Sequence, residues 1–306
     1  MRAISQDVLG GPEVLKQVEV ERPHPGPSEV LIRVRAASVN PTDWIHRATG
    51  LILGTPPFIL GWDVSGVVEQ TGLGVTLHQP GDEVFGMLSY PYGHGAHAEY
   101  VVAAARHVVP KPAAIDHVQA GALPLAALTA WQALVDTAGL RAGQRVLIHA
   151  AAGGVGHLAV QIAKARGAYV IGTASAPKHD LVRSLGADEV IDYTAADFAA
   201  DVRDVDVVLD GVGGEYGPRS LPTLRRGGVL VSIVNHVRDL DTARYGVRAA
   251  EMLVEADHAG MREVAALAGA GRLRAAIDAV FPLADAARAH ARGETGRVAG
   301  KLVLTV

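Results

Sequence analysis

A short glycine-rich segment restricts the possible folds of this 306-residue chain more than any other feature. Residues 150–156 read AAAGGVG, directly after the apolar run RVLIH and directly before an amphipathic helical pattern. A second apolar run follows, so strand, loop, helix and strand fall within about thirty residues, the context that a phosphate-binding loop requires. Gly153 would let the backbone approach a pyrophosphate, Gly156 would let helix and strand pack closely, and the helix N-terminus offers free N–H groups. The segment predicts a dinucleotide site that includes Ala152, Gly153, Gly154, Val155 and Gly156.

The pattern on either side of this loop predicts an α/β protein with two domains. From residue 145 onward, apolar runs alternate with helical patterns, which is typical of a parallel sheet covered by helices on both faces. The first third of the chain contains short β-branched segments separated by Gly and Pro, which is typical of a compact β-rich domain. The predicted elements at the end of the chain are too few to form a third domain, so we expect them to return to the β-rich domain. The sequence thus predicts a β-rich domain formed by residues 1–117 and 272–306, and a dinucleotide-binding domain formed by residues 118–271.

The residues at the end of the second predicted strand favour NADP(H) over NAD(H). An NAD site usually carries an acidic residue there, bonded to the ribose 2′-hydroxyl. Residues 172–178 read GTASAPK and contain no acid. Ser175 and Lys178 suit the charge and the acceptor oxygens of a 2′-phosphate. The alternative is that Ser175 only caps the helix beginning at Pro177 and that Lys178 is solvated.

Composition argues against several classes of protein. The chain contains no cysteine, so neither a disulfide nor a thiolate-ligated metal can form. The formal net charge is -4 and no basic block occurs, which gives no electrostatic basis for binding nucleic acid or an anionic membrane. We see neither a secretory leader pattern nor an apolar run long enough to span a bilayer. The expectation is a cytoplasmic protein that acts on a small molecule.

A series of short motifs extends along nearly the whole chain. They are ASVNPTD from residue 37, LGWDVSGVVE from 60, PGDEV from 80, LPLAALTAWQAL from 123, DGVGG from 210 and GKLVL from 300. Together with the glycine loop, these motifs resemble the medium-chain dehydrogenase/reductase superfamily. The resemblance implies a GroES-like catalytic domain, formed by both chain ends, and a Rossmann domain.

The residues at the metal-ligand positions separate two branches of that superfamily. The zinc alcohol dehydrogenases have an early cysteine ligand and a later Gly-His-Glu ligand motif, whereas this chain has Asn40 at the first position and GWD at residues 61–63. The cysteine-rich structural-zinc lobe is absent. His94 and His97 form a His-x-x-His in a glycine-rich loop, but no third ligand is predictable. We therefore expect no metal, and the chain resembles the zinc-independent quinone oxidoreductase-like branch.

The resemblance to that branch implies roles for individual residues. Asn40 would face the nicotinamide or the substrate, and it is our candidate for the group that stabilises negative charge on the acceptor oxygen. The further cofactor contacts that the resemblance implies are Thr129, Lys178, Tyr193, Val212, Asn235 and Lys301. For two of them a simpler explanation remains: Thr129 could be an ordinary helix residue, and Tyr193 an aromatic residue at a strand end.

The substrate-lining residues are less determined. Members of the branch often carry a tyrosine where this chain has Ile45. Trp44 and Trp62 could provide a flat apolar wall for an aromatic substrate, and core packing explains both tryptophans equally well. Tyr92 is a further candidate, from a loop.

These residues imply an NADPH-dependent reductase that transfers hydride to a quinone or an α,β-unsaturated carbonyl compound. The alternatives are a pathway-specific enoyl-thioester or enone reductase, and a non-catalytic NADPH-binding sensor or structural protein. A short-chain dehydrogenase is excluded, because no tyrosine has a lysine four residues later. Members of the family commonly dimerise through an edge strand, and the strand-like residues 248–254 predict a homodimer.

Overall fold

The computed structural model describes residues 1–234 and 236–306, which divide into two compact units, Met1–Leu128 with Glu255–Val306 and Thr129–Val254. The strands are β1 (Arg2–Gln6), β2 (Lys16–Glu19), β3 (Glu29–Val39), β4 (Phe58–Ile59), β5 (Asp63–Thr71), β6 (Glu83–Met87), β7 (Tyr100–Ala104), β8 (Val108–Pro110), β9 (Arg145–Ile148), β10 (Tyr169–Thr173), β11 (Glu189–Ile191), β12 (Val205–Asp210), β13 (Leu224–Ser232), β14 (Arg248–Glu251), β15 (Ile277–Pro282) and β16 (Lys301–Thr305). The α-helices are α1 (Pro41–Thr49), α2 (His117–Ala122), α3 (Pro124–Trp131), α4 (Gly156–Ala165), α5 (His179–Ser184), α6 (Phe198–Asp201), α7 (Tyr216–Ser220), α8 (Thr242–Tyr245), α9 (His258–Gly269) and α10 (Ala286–Glu294).

The first unit is built around the long strand β3. This strand pairs antiparallel with β5, β7 and β16 within a seven-stranded sheet, and a smaller sheet has the order β2-β1-β4. Leu302 of β16 lies opposite Val39 of β3, so the register brings Lys301 next to Asn40. The C-terminal strand thus completes the β-rich unit, as the sequence predicts for the last elements of the chain.

Two helices extend the β-rich unit beyond the predicted boundaries at residues 117 and 272. Helix α2 packs against β3, β5 and β16, and helix α9 packs against β8. The structural unit therefore continues to Leu128 and resumes at Glu255. The sequence pattern assigned both helices to the dinucleotide-binding domain, because a helical periodicity shows which face is apolar but not which sheet covers it.

The second unit contains a six-stranded sheet in the order β11-β10-β9-β12-β13-β14. Every pairing in this sheet is parallel. The central strand β9 has β10 on one side and β12 on the other, so the strand order reverses at β9, where ligands bind in open parallel sheets. This arrangement confirms the alternation of strands and helices predicted from the sequence.

The core of the second unit consists mainly of fully buried aliphatic side chains. Leu147, Val208 and Leu230 from neighbouring strands pack with Phe198, and none of the four exposes more than 1% of its surface. Burying each such side chain stabilises the folded state by roughly 1.5–3 kcal/mol. This packing holds the carboxyl ends of the strands in fixed register.

The Ala- and Leu-rich sequence of residues 118–136 predicts one long helix, but the structure interrupts it. Helix α2 ends at Ala122, α3 begins at Pro124, and a π-helix spans Gln132–Thr137. Pro124 lacks a backbone N–H and cannot continue the preceding helix, which explains the break. None of the helices in the described ranges combines the length and apolar character needed to cross a membrane.

Candidate active site

The glycine loop joins the central strand to helix α4 at the carboxyl edge of the parallel sheet. The backbone reverses at Ala150, whose φ is 50°, and the N–H of Gly153 bonds to the Ala150 carbonyl at 2.8 Å. A Cβ on Gly156 would overlap the carbonyl oxygen of Ala150, so only glycine allows α4 to begin this close to the strand. Ala152, the remaining predicted loop residue, is buried. The absence of a side chain at Gly156 thus lets helix α4 pack closely against the end of β9.

The start of helix α4 offers unpaired donors. Within residues 1–234 and 236–306, the N–H groups of Gly154, Val155 and Gly156 have no protein acceptor, and Val155 as N-cap provides no side-chain cap. Three adjacent N–H groups at a helix N-terminus carry a partial positive charge. They form the kind of site that binds phosphate oxygens.

A buried histidine, which sequence reasoning missed, ties this loop to its neighbours. The Nε2–H of His149 donates to the Ser220 hydroxyl at 2.9 Å, and the Thr173 hydroxyl donates to Nδ1 at 3.2 Å. Ser220 donates its own hydrogen to the Tyr216 carbonyl, which fixes this tautomer. Burial lowers the pKa of His149 to about 3, so the ring stays neutral and fastens the end of β10 to α7.

The residues proposed for the ribose phosphate lie at the ends of β10 and β11. Ser175 is half-buried, and its side chain does not cap the 3-10 helix Ala176–Lys178, so the capping alternative is not realised. Lys178 is half-buried, and Tyr193 follows β11 with 48% of its surface exposed. The arrangement leaves the Ser175 hydroxyl available to a ligand.

An acidic residue, Asp192, also lies near the 3-10 helix Ala176–Lys178. Hydrogen bonds from the Thr194 side chain and backbone lower the pKa of Asp192, with smaller contributions from His179 and the Ala176 N–H. Asp192 follows β11 and not β10, so it lies outside the segment 172–178 in which an NAD site usually carries its acid. The hydrogen bonds from Thr194 stabilise the charged form, so Asp192 places a negative charge beside the 3-10 helix Ala176–Lys178.

Three other predicted cofactor residues are distributed along the chain. Thr129 is buried on α3. Val212 follows β12 at the carboxyl edge of the sheet, 44% exposed, and its N–H bonds to Asp210 at 2.9 Å. Asn235 lies outside the described residues.

The β-rich unit contains a closed polar cluster around Asn40, which precedes α1 and is 2% exposed. Its Nδ2 donates to Asp63 at 2.8 Å and makes a longer contact of 3.4 Å with the Ser38 hydroxyl. Its Oδ1 accepts from the Lys301 ammonium. Lysine only donates and a carboxylate only accepts, so these two partners fix the orientation of the amide.

Two buried carboxylates complete this cluster. Asp63 accepts from the Leu125 N–H at 2.6 Å and from the Ser38 hydroxyl, and Lys301 Nζ lies 3.8 Å from its Oδ2. Asp43 accepts from the backbone N–H groups of Asn40, at 2.7 Å, and Gly61, at 2.9 Å. Each of the sequence motifs NPTD and GWD thus contributes one aspartate, which accepts a hydrogen bond from the other motif.

The charges in the cluster shift one another's pKa values. Burial raises the pKa of Asp43 to about 7, with the Asp63 charge adding to the rise and hydrogen bonds and Lys301 opposing it. Burial also lowers the pKa of Lys301, and Asp63 and Asp43 counteract that effect. Each buried charge here depends on the others for compensation.

The histidines of the glycine-rich loop do not converge on a metal site. His94 Nδ1 bonds to the Ile59 carbonyl at 2.6 Å, and His97 Nε2 bonds to the Ser38 carbonyl at 3.2 Å. Burial lowers the pKa of His97 to about 4. The described part of the chain contains no group of three or more His, Asp or Glu side chains that could hold a metal ion.

The structure places the proposed substrate-lining residues in different environments. Trp62 has no exposed surface and donates Nε1–H to the Pro91 carbonyl at 3.3 Å, so it is a core residue, the alternative left open above. Trp44 is half-buried and packs on Gly293 of α10 beside an apolar cluster. Tyr92 is 77% exposed. A buried tryptophan cannot offer a face to a substrate, so the prediction for Trp62 needs correction.

A hydrogen-bonded chain beside Asn40 was also missed from the sequence. The Tyr90 hydroxyl contacts the Thr42 hydroxyl at 3.2 Å, which contacts His46 Nδ1 at 3.1 Å. Thr42 belongs to the first turn of α1, directly after Asn40 and Pro41. The chain of polar groups therefore starts from the same turn that positions Asn40.

A parallel sheet with a phosphate-binding loop at its strand-order reversal, together with a β-rich unit holding a buried polar cluster, defines a two-domain dinucleotide-dependent oxidoreductase. The family described as alcohol dehydrogenase GroES-like domain matches residues 26–113, and the family described as zinc-binding dehydrogenase matches residues 185–304. The mitochondrial NAD(P)H oxidoreductase RTN4IP1 of Mus musculus is 36% identical, over 92% of this chain and 82% of that protein.

Solved structures agree with this assignment. The quinone oxidoreductase from Coxiella burnetii is 37% identical with a TM-score of 0.94, covering 100% of this chain and 99% of that one. Escherichia coli quinone oxidoreductase complexed with NADPH is 30% identical with a TM-score of 0.88, covering 100% of both chains. The chain belongs to the medium-chain dehydrogenase/reductase superfamily, in its quinone oxidoreductase-like branch, and it is an oxidoreductase. The predicted fold class, a GroES-like domain with a Rossmann domain, is confirmed.

Proposed function

We propose that this protein is an NADPH-dependent reductase that transfers hydride to a quinone or an α,β-unsaturated carbonyl compound without zinc. The observation that carries the zinc-free assignment is that the Lys301 ammonium contacts Asn40, at the cysteine position of the zinc branch, and lies 3.8 Å from Asp63, in the GWD that replaces the Gly-His-Glu motif. A fixed cation there repels a second one. The relatives named as quinone oxidoreductases support the choice of acceptor.

The cofactor is NADP(H), and the second unit fits it. The free N–H groups of Gly154, Val155 and Gly156 suit a pyrophosphate, and the missing side chain of Gly156 makes room for their arrangement. Ser175 and Lys178 at the end of β10 suit a 2′-phosphate. When bound, the nicotinamide supplies the hydride, and the protein contributes position and electrostatics.

Asn40 is the residue we assign to the acceptor. One of its two amide N–H groups is held by Asp63 at 2.8 Å, and the other makes only the 3.4 Å contact with Ser38. This second N–H donates to the carbonyl oxygen of the acceptor as negative charge develops there. A single donor of this kind contributes about 10²–10³ to kcat when it is preorganised.

The decisive experiment compares NADPH and NADH oxidation with a panel of quinones, enones and enoyl thioesters, before and after EDTA treatment. We expect turnover that prefers NADPH and is unchanged by EDTA. Activity lost with EDTA and restored by zinc would contradict the zinc-free mechanism, and a preference for NADH would contradict the assignment of Ser175 and Lys178. Turnover confined to thioesters would favour the enoyl-thioester reductase, and binding without any turnover would favour a sensor.

We also propose that the protein is a homodimer, formed by pairing of β14 with its copy. Strand β14 ends the six-stranded sheet and pairs with β13 on one side, so its other edge carries backbone groups that a second strand could bond. Light scattering during size exclusion should give twice the mass of one chain. Replacing Ala250 by proline should reduce the measured mass to that of a single chain. A monomer at micromolar concentration would refute the dimer. Cytoplasmic location stays a prediction.

A further inference from the structure

The hydrogen-bonded chain between Tyr90, Thr42 and His46 has a defined direction. His46 Nδ1 lies 2.8 Å from the Thr42 backbone carbonyl, which can only accept, so Nδ1 carries the hydrogen. The Thr42 hydroxyl, 3.1 Å from the same nitrogen, therefore accepts from it and is left with its own hydrogen to donate. The Tyr90 hydroxyl lies 3.2 Å from the Thr42 hydroxyl, close enough to accept this hydrogen. When Thr42 donates in this way, the phenolic hydrogen of Tyr90 is left for a ligand.

The surroundings hold this arrangement in place. Trp62, which is fully buried, packs edge-on against Tyr90 with ring centroids 5.4 Å apart and tilted against His46 at 5.1 Å. Burial lowers the pKa of His46, so the imidazole is neutral near pH 7 and keeps donating through Nδ1. Tyr90 and Thr42 are themselves half-buried, so both retain some access from outside. The phenol is therefore oriented but reachable.

We propose that Tyr90 is the proton donor of the reaction, with Thr42 and His46 as positioning residues that orient its hydroxyl. This assignment rests on the proposed function. Hydride addition to the acceptor carbon moves two electrons onto the carbonyl oxygen, which becomes an oxyanion. The Tyr90 O–H bond then breaks and an O–H bond forms on the product. The phenolate recovers a proton from water, so one acceptor, one NADPH and one proton give the reduced acceptor and NADP⁺.

The other polar residues of the same loop are less suited to this role. The ring of His94 is committed through Nδ1 to the Ile59 carbonyl at 2.6 Å. Tyr92 is 77% exposed, so bulk water competes for its hydroxyl. Tyr90 combines partial burial with a fixed hydrogen-bond partner, and it lies against the helix turn that begins at Asn40.

The test compares Tyr90→Phe with the matched variant Tyr100→Phe, which removes the same atom from a tyrosine of β7 in the same unit, whose ring packs under the Arg22 guanidinium. Tyr90→Phe should lower kcat by about 10²-fold or more, as loss of a general acid does, with the Kd for NADPH from fluorescence titration unchanged. Its solvent deuterium isotope effect on kcat should exceed that of wild type, because delivery of a proton from water becomes limiting. Tyr100→Phe should match wild type. Equal kcat and equal isotope effects in Tyr90→Phe and wild type would overturn the proposal.

The pair Thr42→Val and Thr42→Ser keeps the proposal testable if Tyr90→Phe folds poorly. Valine removes the hydroxyl that orients Tyr90 and should reduce kcat by about tenfold, within the range of general acid catalysis, whereas serine should restore it. Identical kcat values for Thr42→Val and Thr42→Ser would overturn the positioning role of Thr42 and, with it, the assignment of Tyr90 as the proton donor. If wild-type protein binds NADPH but does not oxidise it with any acceptor of the panel, the proposed function is refuted. That result is distinct from an active enzyme whose kcat does not depend on Tyr90.

Discussion

Replacing Lys301 by methionine should destabilise the β-rich unit by about 3–5 kcal/mol at pH 8, the cost of leaving buried charges without their partner. Lys301 is 3% exposed, and its ammonium faces Asp63 while compensating Asp43 at longer range. Methionine fills a similar volume, so the lost charge rather than a cavity dominates. Chemical denaturation monitored by fluorescence measures the difference.

The pH dependence distinguishes this explanation from simple loss of packing. The pKa of Asp43 in the folded protein is about 7, above its ordinary 3.8, so the folded state binds that proton more tightly than the unfolded state. The stability this group contributes is complete below about pH 3.8 and is lost as pH rises through 7. Without Lys301, whose charge lowers the pKa of Asp43, that pKa rises further. The deficit of Lys301→Met should therefore shrink as pH falls from 8 to 6.

Lys164 provides the matched control. Its ammonium pairs with Asp188 at 2.8 Å, but its side chain is 33% exposed, so water screens the pair. Lys164→Met should cost about 1 kcal/mol or less with little change between pH 6 and 8. Comparable losses in both variants would show that the cluster around Asn40 is not held by the buried charge.

The parts of the site that could be predicted from sequence are those fixed by local backbone requirements. The glycine loop was recognisable because its glycines, the preceding strand and the following helix are adjacent in the chain, and each requirement applies within a few residues. The break at Pro124 follows from an equally local rule, although the apolar pattern of residues 118–136 favours one continuous helix.

The contacts that could not be predicted join residues far apart in sequence. Lys301 reaches Asn40 across 261 residues, and only the register of β16 on β3 brings them together. Tyr90 and Thr42 are 48 residues apart, and Asp192 follows β11 whereas Ser175 and Lys178 follow β10. Periodicity shows which face of an element is buried but not its neighbours, so Trp62 could be assigned to the core only from its zero exposure.

Replacing Gly156 by alanine should weaken NADPH binding by tenfold or more, about 1.4 kcal/mol, and lower the stability of the parallel-sheet unit by about 1–3 kcal/mol. The added Cβ would overlap the Ala150 carbonyl oxygen and lie 2.8 Å from its carbon, both backbone atoms that cannot rotate away. Helix α4 must then shift, and the three free N–H groups move with it. Gly217→Ala is the control, because its Cβ would meet only side chains at 3.6 Å or more and α7 should tolerate it or gain slightly. Titration of NADPH fluorescence and thermal unfolding of both variants measure the two effects. Wild-type NADPH affinity in Gly156→Ala would show that the pyrophosphate does not depend on the start of α4.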